Sequence, residues 1–195
     1  MATVEYFTDR LAEIPVNKRE VLRYMGAAGD ETLFPFIDEC TEEIMGLLSA
    51  RICHDEYVIY TEDASVDLGF CHMTSRDLSK NLRECKRAIV FAATVGIGVD
   101  RLIKKYSLSS PSKALCIGAI GNERVEALCD LFCSDLAVKH ERVHPRYSAG
   151  YGDLELSMQR EIFKALDCTK NIGVSLGETL LMTPQKSVTA IVGIE

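Results

Sequence analysis

Apolar residues recur at helical spacing in several stretches of the chain, and polar residues suited to helix starts precede them. Asn17 and Glu20 form a capping-box pair ahead of the first stretch, which we expect to end at Gly26. Asp30 and Ser75 are suited to start two further helices, because a short polar side chain can accept a hydrogen bond from the first helical turn. Residues 1–50 are therefore predicted to form a small helical N-terminal extension.

A longer helix is predicted from Ser112 toward His140. One side of this helix is formed by Ile117, Val125, Leu128, Phe132 and Leu136. After a loop, Ser157 is predicted to cap one more helix, which carries Ile162, Phe163 and Leu166.

Four segments are predicted to be strands. Ala88–Ala93 is a continuous apolar run, which is typical of a strand covered on both faces. Tyr57–Tyr60 indicates a second strand, and Ile172–Leu176 and Val188–Ile194 indicate two more near the end. Strands and helices do not alternate regularly, so the pattern favours an α+β domain with a mostly antiparallel, twisted sheet flanked by helices.

Charge excludes two broad classes of partner. The net charge is −7, so a phosphate surface would repel the chain, and we expect neither a general nucleic-acid binder nor a binder of anionic membranes. One local exception is a basic patch formed by Lys80, Arg83, Lys86 and Arg87. The longest apolar stretch, residues 88–99, is shorter than the roughly 20 residues that a membrane-spanning helix needs.

Eight cysteines are compatible with either a disulfide framework or reduced thiols. The chain begins MATVEYFTDR, which lacks the basic-then-apolar pattern of a secretory signal. We therefore expect reduced thiols, mostly in the core, and a cytoplasmic location.

The segment His140-Glu141-Arg142-Val143-His144 matches H-E-x-x-H, the helical zinc-peptidase motif. This chemistry needs both imidazoles on one face of a helix, one turn apart, with the glutamate acting as general base. Pro145 follows directly, and proline disfavours the helical conformation in the residue before it. We therefore expect His144 at or beyond the helix end, assign no metal ligand, and keep a zinc-dependent hydrolase as an alternative function.

The loop that follows has features of an anion-binding turn. Arg146 offers a planar, charged fork that suits a carboxylate. Gly150 and Gly152 allow backbone N–H groups to approach a ligand, and Tyr147 and Tyr151 supply flat surfaces and hydroxyls. The pattern predicts a site for a small anionic molecule, with an ordinary surface turn as the alternative.

Two longer stretches, RYSAGYGDLELSMQREIFKAL and IGVSLGETLLMTPQKSVTAIVGI, resemble the activation (reactivation) domain of vitamin B12-dependent methionine synthase. The first stretch carries R-x-x-x-G-Y at Arg146, Gly150 and Tyr151. The second carries L-x-E-[ST] at Leu176, Glu178 and Thr179, followed by Pro184 and Ser187-Val188. The resemblance is strongest from His140 to Glu195, and on its basis residues 51–195 are predicted to be an activation-domain-like domain.

The resemblance implies a site for S-adenosylmethionine. The family's loop arginine holds the carboxylate of the methionine moiety, and this role falls on Arg146. The cradle for the ligand falls on the backbone around Ser148, from Tyr147 to Ala149, and on the turn at Gly150.

Tyr151 matches a loop tyrosine on the side that faces the corrin. Glu126 and Glu141 are candidates to balance the charge of the sulfonium.

The same resemblance implies a role in reactivation. Cobalamin on a methionine synthase sometimes oxidises to an inactive cob(II) state, and one electron plus a methyl group from adenosylmethionine restores methylcobalamin. No cobalamin, homocysteine or folate module fits in 195 residues, so we expect the chain to act in trans and to contact cobalamin on its partner. A flavodoxin-type electron donor is expected at the Lys80–Arg87 patch. A further alternative is an interaction module that kept the fold without binding the ligand.

Overall fold

The structure, a computed structural model, describes residues 2–195. The strands are β1 (Thr3–Tyr6), β2 (Arg51–Val58), β3 (Tyr60–Glu62), β4 (Ser65–Asp67), β5 (His72–Thr74), β6 (Arg87–Thr94), β7 (Ser175–Leu176), β8 (Met182–Thr183) and β9 (Ser187–Ile194). The helices are α1 (Thr8–Glu13), α2 (Lys18–Met25), α3 (Phe34–Met45), α4 (Arg76–Asn81), α5 (Gly98–Tyr106), α6 (Pro111–Lys139), α7 (Gln159–Leu166) and α8 (Cys168–Ile172). Short 3₁₀ turns, Glu31–Leu33 and Leu156–Met158, precede α3 and α7.

The central sheet has the strand order β1-β2-β6-β9, and every neighbouring pair is antiparallel. In β6, the side chains of Ile89, Phe91 and Ala93 point to one face, where they join a core with α6. Ala88 and its alternate neighbours point to the other face and join a second core. Both sets are buried, so the continuous apolar run is confirmed as a strand covered on both sides.

Helix α6 lies across the first face, together with α1, α2, α3 and α5. Phe132 of α6 packs on Phe91 of the sheet with ring centroids 5.0 Å apart, and edge-on against Phe7 at 6.3 Å. Burying each such side chain contributes roughly 1.5–3 kcal/mol, which exceeds the propensity cost of the two glycines inside the helix, at roughly 1 kcal/mol each. Tertiary packing therefore holds this long helix together.

The second face is covered by α4, α7 and α8 and by a small antiparallel sheet of β3, β4 and β5. Leu78 and Leu82 from the α4 region and Ile162 from α7 are all fully buried there. A sheet with helices on both faces, formed from antiparallel strands, confirms the predicted α+β fold.

Residues 2–50 do contain helices, but they also contain a strand and share the main core, contrary to a purely helical extension. Strand β1 pairs with β2 from Thr3 to Tyr6, which places it at one edge of the central sheet. The sequence did not reveal this strand, because a four-residue edge strand of mixed burial leaves no clear alternation. Leu11, Leu22 and Ile37 belong to the same apolar cluster as Phe91.

Buried Arg124 ties the N-terminal segment to α6. Its guanidinium donates to the carbonyl oxygens of Leu11, Ile14 and Pro15 at 2.7–3.3 Å and pairs with Glu123 at 2.6 Å. These carbonyls lie at the end of helix α1 and just after it. The buried charge of Arg124 therefore has Glu123 as its counterion and the carbonyl oxygens as hydrogen-bond acceptors.

The predicted helix caps at Asn17, Asp30 and Ser75 are confirmed, since each side chain accepts a backbone hydrogen bond at the start of its helix or turn. The predicted cap at Ser157 is wrong. The chain first makes a 3₁₀ turn, and the Ser157 hydroxyl donates to Glu155 instead. The predicted strand Ile172–Leu176 is shortened to Ser175–Leu176, because α8 runs through Ile172.

Within residues 2–195, no helix is both long enough and apolar enough to cross a bilayer.

Candidate functional site

A cavity of about 370 Å³ lies beside β9, where the loop after α6 crosses the edge of the sheet. Its volume falls within the range of small-molecule sites. The wall is formed by Glu126, Arg146, Tyr147, Ser148, Ala149, Tyr151, Gln159, Met182, Ser187, Val188 and Thr189. Four separate segments of the chain therefore meet at this cavity: α6, the loop, the start of α7, and the β8–β9 region.

The loop is fixed to the sheet by backbone hydrogen bonds. The N–H of Tyr147 donates to the carbonyl of Ile191 at 2.8 Å, and the N–H of Ile191 donates back at 2.8 Å. Val143 makes an isolated bridge with Ile194 on the same strand. The entrance to the loop thus behaves as a short additional strand at the edge of β9, which positions Arg146 between two paired residues.

The far end of the loop is held by Asp153. Its carboxylate accepts hydrogen bonds from the Ser75 hydroxyl at 2.5 Å and from the backbone N–H of Arg76 at 2.8 Å. These bonds lower the pKa of Asp153, the one from Ser75 most, so the carboxylate caps α4 in its charged form. Between the anchors, Gly150 has φ +90° and Gly152 has φ +52°, which glycine adopts without strain.

The guanidinium of Arg146 lies between two carboxylates of α6. Nη2 is 2.5 Å from Glu126 Oε2, and Nη1 is hydrogen-bonded to Asp130. Burial opposes the charge of Arg146, but the hydrogen bond to Asp130 and the nearby negative groups outweigh it and raise its pKa. The guanidinium is therefore permanently charged, and its two protein partners occupy one nitrogen each.

The two carboxylates differ in their relation to the cavity. Glu126 lines the cavity and one neighbouring groove, whereas Asp130 lines that groove and a second one but not the cavity. The side chain of Asp130 is 70% exposed and that of Glu126 is 43% exposed. Glu126 thus meets Arg146 at the cavity wall, and Asp130 holds it from a position that does not line the cavity.

Two buried polar atoms on the cavity wall have no hydrogen-bond partner among residues 2–195. These atoms are Oε1 of Gln159, a residue 6% exposed, and Oγ1 of Thr189, which is 2% exposed. Leaving such an atom unsatisfied costs about 1–3 kcal/mol, so native proteins rarely do so without a reason. The cavity is therefore suited to a ligand with polar groups that reach these two atoms.

The structure brings together most of the residues predicted for the site. Glu126, Arg146, Tyr147, Ser148, Ala149 and Tyr151 line the cavity. Gly150 lies in the same loop with φ +90°, and a Cβ atom at this position would lie 3.1 Å from the side chain of Leu156. Glu141 is the exception: it is exposed in the segment before the loop and does not line the cavity, so the structure does not bring it together with the other predicted residues.

Sequence reasoning did not identify Gln159, Met182 and Thr189 as site residues. A signal exists for Thr189, because a polar residue interrupts the apolar run of β9, and its neighbours Ser187-Val188 belong to the second resemblance motif. For Gln159 and Met182 we see no such signal, because only the tertiary fold brings them to the cavity.

The H-E-x-x-H segment does not form a helical metal motif. Helix α6 ends at Lys139, and His140 already has an extended backbone, with φ −123° and ψ 147°. This confirms that His144 lies beyond the helix end, as the following proline predicted. Its ring faces the backbone of Asn81 and the side chain of Glu195 instead of His140, so the zinc-hydrolase alternative loses its geometric basis.

Comparison with known proteins gives a likeness of fold. No protein-family model and no curated protein matches the sequence. Among solved structures, the chain is similar to the reactivation domain of MetH, crystallised with AdoHcy bound, with a TM-score of 0.71. The match covers 100% of this chain and 78% of that one, at 12% sequence identity. The two chains therefore share a fold at low sequence identity.

Proposed function

We propose that this protein binds S-adenosylmethionine, or its product S-adenosylhomocysteine, in the cavity beside β9. Three observations support the proposal. Arg146 and Tyr151 of the R-x-x-x-G-Y motif line the cavity, the cavity wall has unsatisfied polar atoms, and the structurally similar MetH domain was crystallised with AdoHcy. The observation that carries it is the first, because a loop motif noted from sequence alone lies on the wall of a cavity of suitable size.

The charges of the wall suit the amino-acid end of this ligand. That end carries a carboxylate and an ammonium close together, and the wall presents the guanidinium of Arg146 beside the carboxylate of Glu126. The ligand carboxylate replaces Glu126 on Nη2 of Arg146, the nitrogen at the cavity wall. Glu126 then accepts a hydrogen bond from the ligand ammonium. Asp130 remains on the outer nitrogen and keeps the fork oriented.

The remaining polar groups suit the nucleoside. Gln159 and Thr189 lie on a different wall segment from Arg146, so they are available to the ribose hydroxyls or the adenine while the amino-acid end is held. Binding would satisfy two atoms that are unpartnered in the free protein, which favours the bound state.

We further propose that the bound donor serves reductive methylation of cob(II)alamin on a separate methionine synthase. Adenosylmethionine supplies a methyl group on a sulfonium, and the residues of this chain bind and orient it. Tyr151 is 68% exposed at the cavity wall, where a flat side chain is available to face a partner's corrin. The function of the loop is thus to present one ligand to a second protein.

An acidic, flavodoxin-type electron donor is proposed to dock on the basic patch of Lys80, Arg83 and Lys86. Within residues 2–195, none of these three side chains is paired with a carboxylate, whereas Arg87 is paired with Glu56 at 2.6 Å. Arg76, Lys80 and Arg83 line one groove of about 290 Å³ with a single acidic residue, Asp63. The patch therefore offers free positive charge on a protein that is otherwise acidic.

Isothermal calorimetry with adenosylmethionine and adenosylhomocysteine tests the binding proposal. We expect one site per chain, and an affinity about tenfold to a hundredfold weaker in Arg146→Lys, because an ammonium lacks the planar fork that holds Asp130 on one nitrogen and the ligand carboxylate on the other. Arg101→Lys is the matched control, since Arg101 is exposed and lies outside the cavity. The absence of binding to the wild-type protein would contradict the proposal and favour a ligand-free interaction module. Equal affinity in Arg146→Lys would show that Arg146 does not hold the ligand carboxylate.

A further inference from the structure

Three potential metal ligands converge at the end of β9, away from the cavity. Cys85 lies in the turn before β6, His144 follows α6, and Glu195 follows β9. Each offers one ligand atom, and the three atoms lie within 4.8 Å of one another. Cys85 is buried, His144 is half-buried and Glu195 is exposed, so the group opens to solvent on one side only.

The imidazole of His144 is oriented for coordination. Its Nδ1 lies 2.7 Å from the backbone carbonyl oxygen of Asn81, which can only accept, so Nδ1 carries a proton. Nε2 then points at Glu195 Oε1, 2.9 Å away. Metal-binding histidines almost always donate the other ring N–H to a carbonyl or carboxylate in this way.

The thiol of Cys85 lies against Gly193 of strand β9, where the absence of a side chain leaves room for the sulfur. A Cβ atom at Gly193 would lie 2.5 Å from the sulfur, so a side chain at that position would displace the thiol. The sulfur has only a long contact, 3.9 Å, with the carbonyl oxygen of Arg83. A buried thiol without a strong partner is therefore held against the strand end, close to an imidazole nitrogen and a carboxylate.

We propose that Cys85, His144 and Glu195 bind one Zn²⁺ ion, with the fourth coordination position open to solvent. Thiolate, imidazole and carboxylate are the three ligand types that zinc prefers in proteins, and the sulfur disfavours Mg²⁺ and Ca²⁺. The thiol proton leaves to solvent on binding, and the thiolate and carboxylate together balance the charge of the ion.

Arg142 is the competing cation at this site. Its Nη1 lies 3.2 Å from the same oxygen of Glu195 and 3.9 Å from Glu84. The Arg142 side chain is 60% exposed, so its pairs are weak, and on metal binding it keeps Glu84 and releases Glu195.

The ion would join three segments of the chain, and the one that carries His144 leads into the cavity loop. The segment carrying His144 is bridged to β9 at Val143 and enters the loop three residues later, at Arg146. A zinc ion that ties this segment to the end of β9 and to the turn at Cys85 would therefore fix the entrance of the loop. We expect the metal to raise the midpoint of thermal unfolding, because it binds the folded chain only.

Cobalt titration tests the proposal, since Co²⁺ substitutes for Zn²⁺ and gives a thiolate charge-transfer absorption in the near ultraviolet. The untagged, full chain is first freed of metal with a chelator. We expect one Co²⁺ per chain, displaced by one Zn²⁺, with the charge-transfer band lost in Cys85→Ser. Removing a residue that only hydrogen-bonds a metal ligand weakens metal binding about 10- to 100-fold. Glu195→Gln changes a ligand itself, so it should weaken Zn²⁺ binding at least tenfold.

Two matched variants serve as controls. Cys71→Ser removes another thiol, which is half-buried and lies outside the proposed site. His140→Ala removes the other histidine of the H-E-x-x-H segment. Both variants should keep the charge-transfer band and the Zn²⁺ affinity. A wild-type titration without the band, or a band that persists in Cys85→Ser, would overturn the proposal. If Cys85→Ser does not fold, exposed Glu195→Gln still decides, because unchanged Zn²⁺ affinity in that variant also overturns it. None of these readouts depends on adenosylmethionine.

Discussion

Single atoms decide much of what the cavity can recognise. The Thr189 hydroxyl and the Gln159 amide oxygen are buried without partners, so in the free protein they reduce stability. Arg146 is the opposite case, because both of its terminal nitrogens, Nη1 and Nη2, are paired with carboxylates. The proposed ligand would therefore satisfy some groups and exchange the partners of another.

At this scale, Thr189→Val should separate ligand binding from folding. Valine has nearly the same shape, and the lost hydroxyl has no partner in the free protein. We expect a free energy of unfolding that is unchanged or higher by up to about 1 kcal/mol, with adenosylhomocysteine affinity about fivefold to tenfold weaker. Urea denaturation and calorimetry measure the two quantities. A variant that is clearly less stable, with unchanged affinity, would show that the hydroxyl serves the fold instead.

At the scale of elements, Glu43 joins three helices on one side of the sheet. It belongs to α3, and it accepts from the hydroxyl of Tyr106 at the end of α5 at 2.6 Å and from Lys113 at the start of α6 at 2.9 Å. These contacts, the one from Tyr106 first, lower the pKa of Glu43 from 4.5 to about 2. Charged Glu43 therefore stabilises the junction of α3, α5 and α6.

The pH dependence of stability follows from this shift. A carboxylate with a lowered folded-state pKa contributes fully above its unfolded value and loses that contribution as the pH falls from about 4.5 to about 2. Its side chain is 26% exposed, so we discount the contribution to about 1 kcal/mol. Glu43→Gln should be less stable than wild type by about that amount at pH 7.

Denaturation of wild type and Glu43→Gln over a pH series measures this contribution. The stability difference should shrink steadily below pH 4.5, whereas exposed Glu42→Gln on the same helix should differ little from wild type throughout. An equal difference at neutral and strongly acidic pH would contradict the account.

The elements that sequence predicted well are those with local signals. The caps at Asn17 and Ser75, the apolar run of β6 and the apolar stripe of α6 each reflect contacts within or next to the element. β1 and the small sheet of β3, β4 and β5 were not predicted, because strands of three or four residues depend on their partners in the sheet. The start of α7 was misplaced for a related reason: Ser157 caps nothing when a 3₁₀ turn precedes the helix.

At the scale of the whole molecule, the layers around one antiparallel sheet place the cavity and the basic patch on different elements. The cavity forms where α6, α7, the loop and β9 meet. The basic patch lies on the last turn of α4 and on the turn that follows it. Sequence motifs located the loop half of the cavity. They did not locate Gln159 or Met182, whose presence there depends on how distant segments pack.

Charge reversal of the basic patch tests the proposed electron-donor surface. Arg83→Glu combined with Lys86→Glu should slow reductive reactivation of a methionine synthase by a flavodoxin-type donor, by about tenfold at low salt. The effect should diminish as ionic strength rises, because salt screens exposed charges. Adenosylmethionine affinity should not change, since the patch does not line the cavity. Reactivation rates that equal those of wild type at low salt would remove the surface from consideration.

The most direct test of the central claim is a crystal structure of the chain with adenosylhomocysteine. The account predicts the ligand in the cavity beside β9, with its carboxylate on a nitrogen of Arg146, Glu126 turned to its ammonium, and a polar group of the nucleoside within hydrogen-bond distance of Gln159 or Thr189. An empty cavity at saturating ligand, with Arg146 still held by both Glu126 and Asp130, would contradict it.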